Sequence, residues 1–73
     1  MTAQEFNRSI RNKKRGEVIV YHNGDLQYDR QMPGAGLLRE LANAAWASYK
    51  TGMATLVQKR IGKNNFAYMA IKL

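Results

Sequence analysis

The apolar positions follow three different spacings along this chain. Val18, Ile19, Val20 and Tyr21 are consecutive β-branched or aromatic residues, which suit a pleated, half-buried surface. His22-Asn23-Gly24-Asp25 follows, and Asn-Gly fits a type I′ turn. Leu26, Gln27, Tyr28 and Asp29 then alternate as a short return strand. Glu17 to Asp29 is therefore predicted to be a β-hairpin. From about Ala35 to Tyr49 the spacing becomes helical. Leu38, Leu41, Ala42, Ala45 and Tyr49 form one stripe, flanked by Leu37, Ala44 and Ser48, with Arg39, Glu40, Asn43 and Lys50 off it. Pro33 precedes this helix, and Gly52 is placed to stop it. Beyond Met53, Ala54–Ile61 and Phe66–Leu73 read as the arms of a second hairpin, with Gly62-Lys63-Asn64-Asn65 as its turn.

The first sixteen residues differ. Thr2 and Glu5 have capping-box spacing, and Phe6 and Ile10 follow at i, i+4. A short helix from about Ala3 to Asn12 fits this pattern, but it falls below the length at which an isolated helix is stable. Arg8, Arg11, Lys13, Lys14 and Arg15 place five cations within eight positions. Such repulsion predicts a flexible basic arm over residues 1–16, with Phe6 and Ile10 as its docking points, attached to a single α+β domain over residues 17–73. The expected architecture is ββαββ: two β-hairpins packed with one central helix, since a hairpin alone is not stable.

Composition narrows the function classes. Seventy-three residues make one domain, and a chain this short buries only about 60% of the surface it exposes when unfolded. Cysteine is absent and His22 is the single histidine, which excludes disulfides, thiol nucleophiles and multi-histidine metal sites. The carboxylates Glu5, Glu17, Asp25, Asp29 and Glu40 sit in local contexts that explain them structurally, and neither serine has a nucleophile-elbow context. His22 beside Asn-Gly reads as a turn-flanking surface residue. Gly34-Ala35-Gly36 before a helix lacks the strand and lysine of a phosphate loop. The chain is expected to be a binding protein and not an enzyme, with no cofactor and no metal. The longest apolar run, Phe66–Ile71, is far below the ~20 residues of a membrane span, and the basic N-terminus lacks the apolar stretch of a signal peptide. The expected location is cytoplasmic, with no membrane partner.

Charge is the more informative feature. Twelve Lys and Arg against five Asp and Glu give +7. No acid follows Glu40, so Lys50, Lys59, Arg60, Lys63 and Lys72 are uncompensated in sequence. The balance favours an anionic partner: nucleic acid, an acidic protein surface or anionic lipid. Candidate partner-binding residues are Arg8, Arg11, Lys13, Lys14 and Arg15 in the arm, and Lys59, Arg60 and Lys63 at the second hairpin's tip. Arg39, Trp46 and Lys50 on the helix complete the set. Trp46 falls about 110° from the middle of the apolar stripe, where it either covers the sheet edge or anchors a partner.

Two nucleic-acid readings stand beside these residues. A helix followed by a basic-tipped hairpin suggests a winged-helix reader, although the helix offers few base-reading groups and no convincing helix pair precedes it. Lys63-Asn64-Asn65-Phe66-Ala67-Tyr68-Met69 loosely resembles the strand motif of RNA-recognition domains, in which aromatics two apart stack on bases. Packing of Phe66 in the core is the simpler account.

Taken whole, a cysteine-free basic chain of this length, with a basic arm ahead of Glu17-Val18-Ile19-Val20-Tyr21, resembles a small phage-encoded regulator of host RNA polymerase. The resemblance covers the entire chain but rests on length and character, so it assigns no individual interface residue. It implies a monomeric regulator, acting in the host cytoplasm, that binds RNA polymerase, inhibits promoter recognition and promotes antitermination. The rival expectation is a sequence-tolerant DNA- or RNA-binding protein.

Overall fold

The computed structural model describes all residues, Met1 to Leu73. Helix α1 (Ala3–Asn12) starts at the capping box: Thr2 Oγ1 accepts from the Glu5 N–H at 3.1 Å, and Glu5 Oε1 accepts from the Thr2 N–H at 2.8 Å. Its last turn is closed by Lys72, whose Nζ donates to the Ile10 carbonyl at 2.9 Å. The helix is docked, not loose. Phe6 and Ile10 are the largest fully buried side chains in the protein. The expectation of a loosely attached arm is corrected in this respect, because two apolar side chains one helical turn apart suffice when the core has room for both.

Strand β1 (Val18–Gly24) forms as expected, but its return strand does not. Leu26–Asp29 is instead a single helical turn, α2. Asp25 decides this. Its side chain accepts from the Tyr28 N–H at 3.3 Å, and its carbonyl accepts from the Asp29 N–H at 2.7 Å. An aspartate that bonds the following backbone favours a helical start over a strand ladder. The type I′ turn is also absent, because Asn23 does not take positive φ and β1 runs on through Gly24.

Helix α3 (Gly36–Lys50) ends at Gly52, whose φ of +78° lets the chain reverse while its N–H bonds the Tyr49 carbonyl. The second hairpin is present: β2 (Ala54–Gly62) and β3 (Asn65–Lys72) pair antiparallel around Lys63-Asn64, with Asn64 at φ +52°. β3 also pairs antiparallel with β1, so the sheet order is β1-β3-β2. The near-continuous apolar run Phe66–Ile71 is explained by this central position. The protein is a compact single α+β domain with element order αβααββ, in place of the ββαββ arrangement expected.

Helices α1 and α3 pack together on one side of the sheet. The core there joins Phe6, Ile10, Ile19, Tyr21, Leu41, Ala45, Ala54, Tyr68 and Ala70. A bulge between Val20 and His22 shifts the β1 register, and beyond it both Tyr21 and His22 lie against Tyr68, with ring centroids 6.4 and 5.9 Å away. No helix is long and apolar enough to cross a membrane.

Candidate functional site

The acidic side chains are mostly committed to local structure. Glu5 completes the α1 cap, Glu17 accepts from the Lys14 N–H at 2.6 Å, and Asp25 caps α2. Asp29 Oδ2 lies 2.8 Å from His22 Nε2, the sole contact between oppositely charged side-chain types. The capping bonds from Thr2, backbone first and side chain second, hold the Glu5 carboxyl below its ordinary pKa. His22 is half-buried on Tyr68 and braced by Asp29, a structural arrangement more enclosed than the surface position its sequence neighbours suggested. No group of three or more His, Asp or Glu converges.

None of the twelve cationic side chains is paired with a carboxylate. Lys72, Arg39 and Arg60 each bond a backbone carbonyl, of Ile10, Arg30 and Gly62 respectively. The positive charge is thus left facing solvent. It falls into groups that strand pairing keeps apart. Gly16 donates to the Lys72 carbonyl at the C-terminal end of β3, so Lys13, Lys14 and Arg15 sit at that end of the sheet. Lys59, Arg60 and Lys63 lie at the other end, about the length of β3 away. Arg8 and Arg11 project from α1, and Arg11 shares a shallow groove with Ala47, Thr51 and Met53 at the end of α3. Lys50 belongs to that same end. The two basic clusters of the sequence are therefore not one patch.

The solvent side of α3 carries Arg39, Asn43, Trp46 and Lys50 in one row, as the helical spacing predicts. Trp46 is 55% exposed, so packing against the fold leaves more than half of it open to solvent. Its ring lies 5.2 Å from that of Tyr49, itself exposed. Arg39 reaches across to α2 and donates to the Arg30 carbonyl at 3.0 Å. Arg30, Gln31, Arg39 and Asn43 thereby line an open cleft of about 380 Å³. Next to it, Tyr21, Leu26, Ala42, Trp46 and Leu56 line a groove of about 270 Å³ that shares Arg30 and Asn43. Sequence spacing brought Arg39, Trp46 and Lys50 together but missed Arg30 and Gln31. Their placement depends on α2, which the sequence had suggested was a strand.

A second surface also went unread. On the sheet side away from the helices, Val18, Ile71 and Thr55 form one cross-strand row, and Val20, Met69 and Val57 form the next. Val18, Val20 and Val57 are exposed. The signal was present in the consecutive apolar residues of β1 and β3, a pattern typical of strands buried on both faces. By contrast, Phe66 and Tyr68 point to the helical side, where Tyr68 is buried; they form no open platform for stacked bases. No family model matches this chain, and no similar curated protein or solved structure is found.

Proposed function

We propose that this protein is a non-enzymatic, phage-encoded regulator that binds host RNA polymerase in the host cytoplasm, inhibits promoter-dependent initiation and promotes antitermination. One observation carries the physical part of this reading: twelve cations without a carboxylate partner, on a domain whose acids are largely engaged in caps and turns. A protein built this way is steered to acidic surface. The exposed aliphatic rows of the sheet and the Trp46–Tyr49 pair supply the apolar contact that a protein partner needs beyond charge. The polymerase itself is supplied by the resemblance of the whole chain to small phage regulators.

Size limits the mechanism. The Cα framework measures 32 × 25 × 18 Å, and a standard interface takes about 800 Å² from each partner. A monomer of these dimensions acts best at a mobile junction, where one occupied position weakens σ–core or core–promoter contacts. Affinity capture from bacterial lysate, with and without nuclease, tests the partner: polymerase retained after nuclease supports the reading, and loss of polymerase contradicts it. Transcription tests the mechanism. Promoter-dependent initiation should fall while elongation from a preformed scaffold without σ proceeds, and equal inhibition of both would eliminate σ or promoter interference.

A second reading is favoured by the order of elements. A helix, a strand, two helices and a hairpin, with the first strand paired to the last, is the arrangement of a winged helix. α3 would then face duplex DNA, with Lys59, Arg60 and Lys63 on phosphates. Tight, sequence-specific binding to naked duplex would select this reading over the first.

A further inference from the structure

The cleft between α2 and α3 has a chemical order that neither a general positive charge nor a polymerase contact requires. Arg30 and Arg39 stand at one end, with no carboxylate among the lining residues. Arg39 is held in place by its bond to the Arg30 carbonyl, which spends one N–H of a guanidinium that carries five. Asn43 follows one helical turn further on and borders both the polar cleft and the apolar groove. Trp46 comes next, and its exposed indole stands 5.2 Å from the tilted, exposed ring of Tyr49. The distance from Arg39 to Trp46 along the axis is about 10 Å at 1.5 Å per residue.

We infer that this cleft binds single-stranded nucleic acid, with a phosphate held between Arg30 and Arg39 and an unpaired base laid on Trp46. Guanidinium, carboxamide and indole match phosphate, base edge and base face in turn. Guanidinium forks suit phosphate oxygens, a carboxamide offers both donor and acceptor to a base edge, and every base has a face that stacks on an aromatic ring. A paired duplex base is already stacked within its helix and cannot lie on Trp46. An acidic peptide would satisfy the arginines and could pair its backbone with Asn43, but its carboxylates offer no flat face to lay on the Trp46 indole. The inference stands apart from the polymerase reading, since a free strand can be bound whether or not a polymerase is.

Trp46 is the only tryptophan, so its emission reports this site alone. The test titrates the full-length protein with a hexamer of oligouridylate, a six-base-pair DNA duplex and oligoglutamate, following tryptophan emission and the anisotropy of labelled hexamer over a series of salt concentrations. The single strand should quench Trp46 and bind at least about tenfold more tightly than the duplex. Trp46→Ala should weaken binding by about tenfold at fixed salt, and Trp46→Phe should restore most of it. Arg30→Gln and Arg39→Gln should each flatten the slope of log affinity against log salt by about 0.7. Arg30→Gln leaves the Arg39 bond to the Arg30 backbone in place, so it remains decisive if Arg39→Gln perturbs the fold. Unquenched Trp46 at saturating hexamer, equal affinity for the duplex, equal quenching by oligoglutamate, or an unchanged salt slope in Arg30→Gln would each overturn the inference.

Discussion

At the scale of single residues, Tyr68 connects the sheet to α2. Its hydroxyl accepts from the Leu26 N–H at 2.9 Å, and its ring touches those of Tyr21, His22 and Phe66. Tyr68→Phe keeps the ring and removes the acceptor, leaving a partly buried N–H unsatisfied. The expected loss is about 1–2 kcal/mol in chemical denaturation, with the α2 amides exchanging faster. An unchanged midpoint would show that water replaces the hydroxyl at no cost. Tyr21 makes the opposite kind of demand. Burial, and secondarily the neighbouring Tyr68, raises its phenol above the ordinary value of 10.0. A raised folded pKa means that this contribution is intact below pH 10 and is lost as pH climbs through the folded value. Tyr21→Phe should therefore reduce the loss of stability above pH 10, as read from denaturation midpoints across an alkaline series. An identical alkaline decline in both proteins would remove Tyr21 as its source.

At the scale of elements, legibility followed the reach of the deciding interaction. α3 was readable because one apolar stripe, a preceding proline and a following glycine all lie within the helix or a few residues of its ends. The β2–β3 hairpin was readable because its turn is local, with Asn64 supplying the positive φ. The segment after β1 misled because alternation over four residues is weaker than one aspartate cap, and because the true partner of β1 is β3, more than forty residues on. α1 was readable as a helix but not as a core element, since the cavity for Phe6 is assembled from β1 and other distant segments. The two rings are edge-to-face at 5.7 Å, Phe6 against Tyr21. The same logic held for the candidate site: the α3 row was visible in the helical period, whereas Arg30 depended on a turn that the sequence pattern misassigned. Phe6→Ala tests the role given to α1. It should cost about 3–5 kcal/mol, enough to unfold much of so small a domain, whereas an independent arm would lose only its own helicity. Tertiary signals of β1 and β3 in nuclear magnetic resonance spectra separate the two outcomes.

At the scale of the whole molecule, charge and stability oppose one another. Seven net positive charges on a domain this small repel, and no carboxylate pair offsets them locally. Nine of the twelve make no side-chain hydrogen bond or ion pair within the fold, so their presence is better explained by what they attract than by what they support. Screening exposes the difference. The Debye length is about 30 Å at 0.01 M salt, longer than two of the three dimensions of the domain, and about 8 Å at 0.15 M. Adding salt over this range should raise the melting temperature by relieving repulsion, while weakening any anionic partner. Replacing Lys59 and Lys63 together with glutamine removes two charges without breaking a side-chain hydrogen bond, and Arg60 keeps its bond to Gly62. The double variant should melt no lower than the parent, depend less on salt, and associate more slowly with its partner. A melting temperature that falls with added salt would show that attractive electrostatics stabilise the fold, and the cations would then need a structural explanation in place of a recognition one.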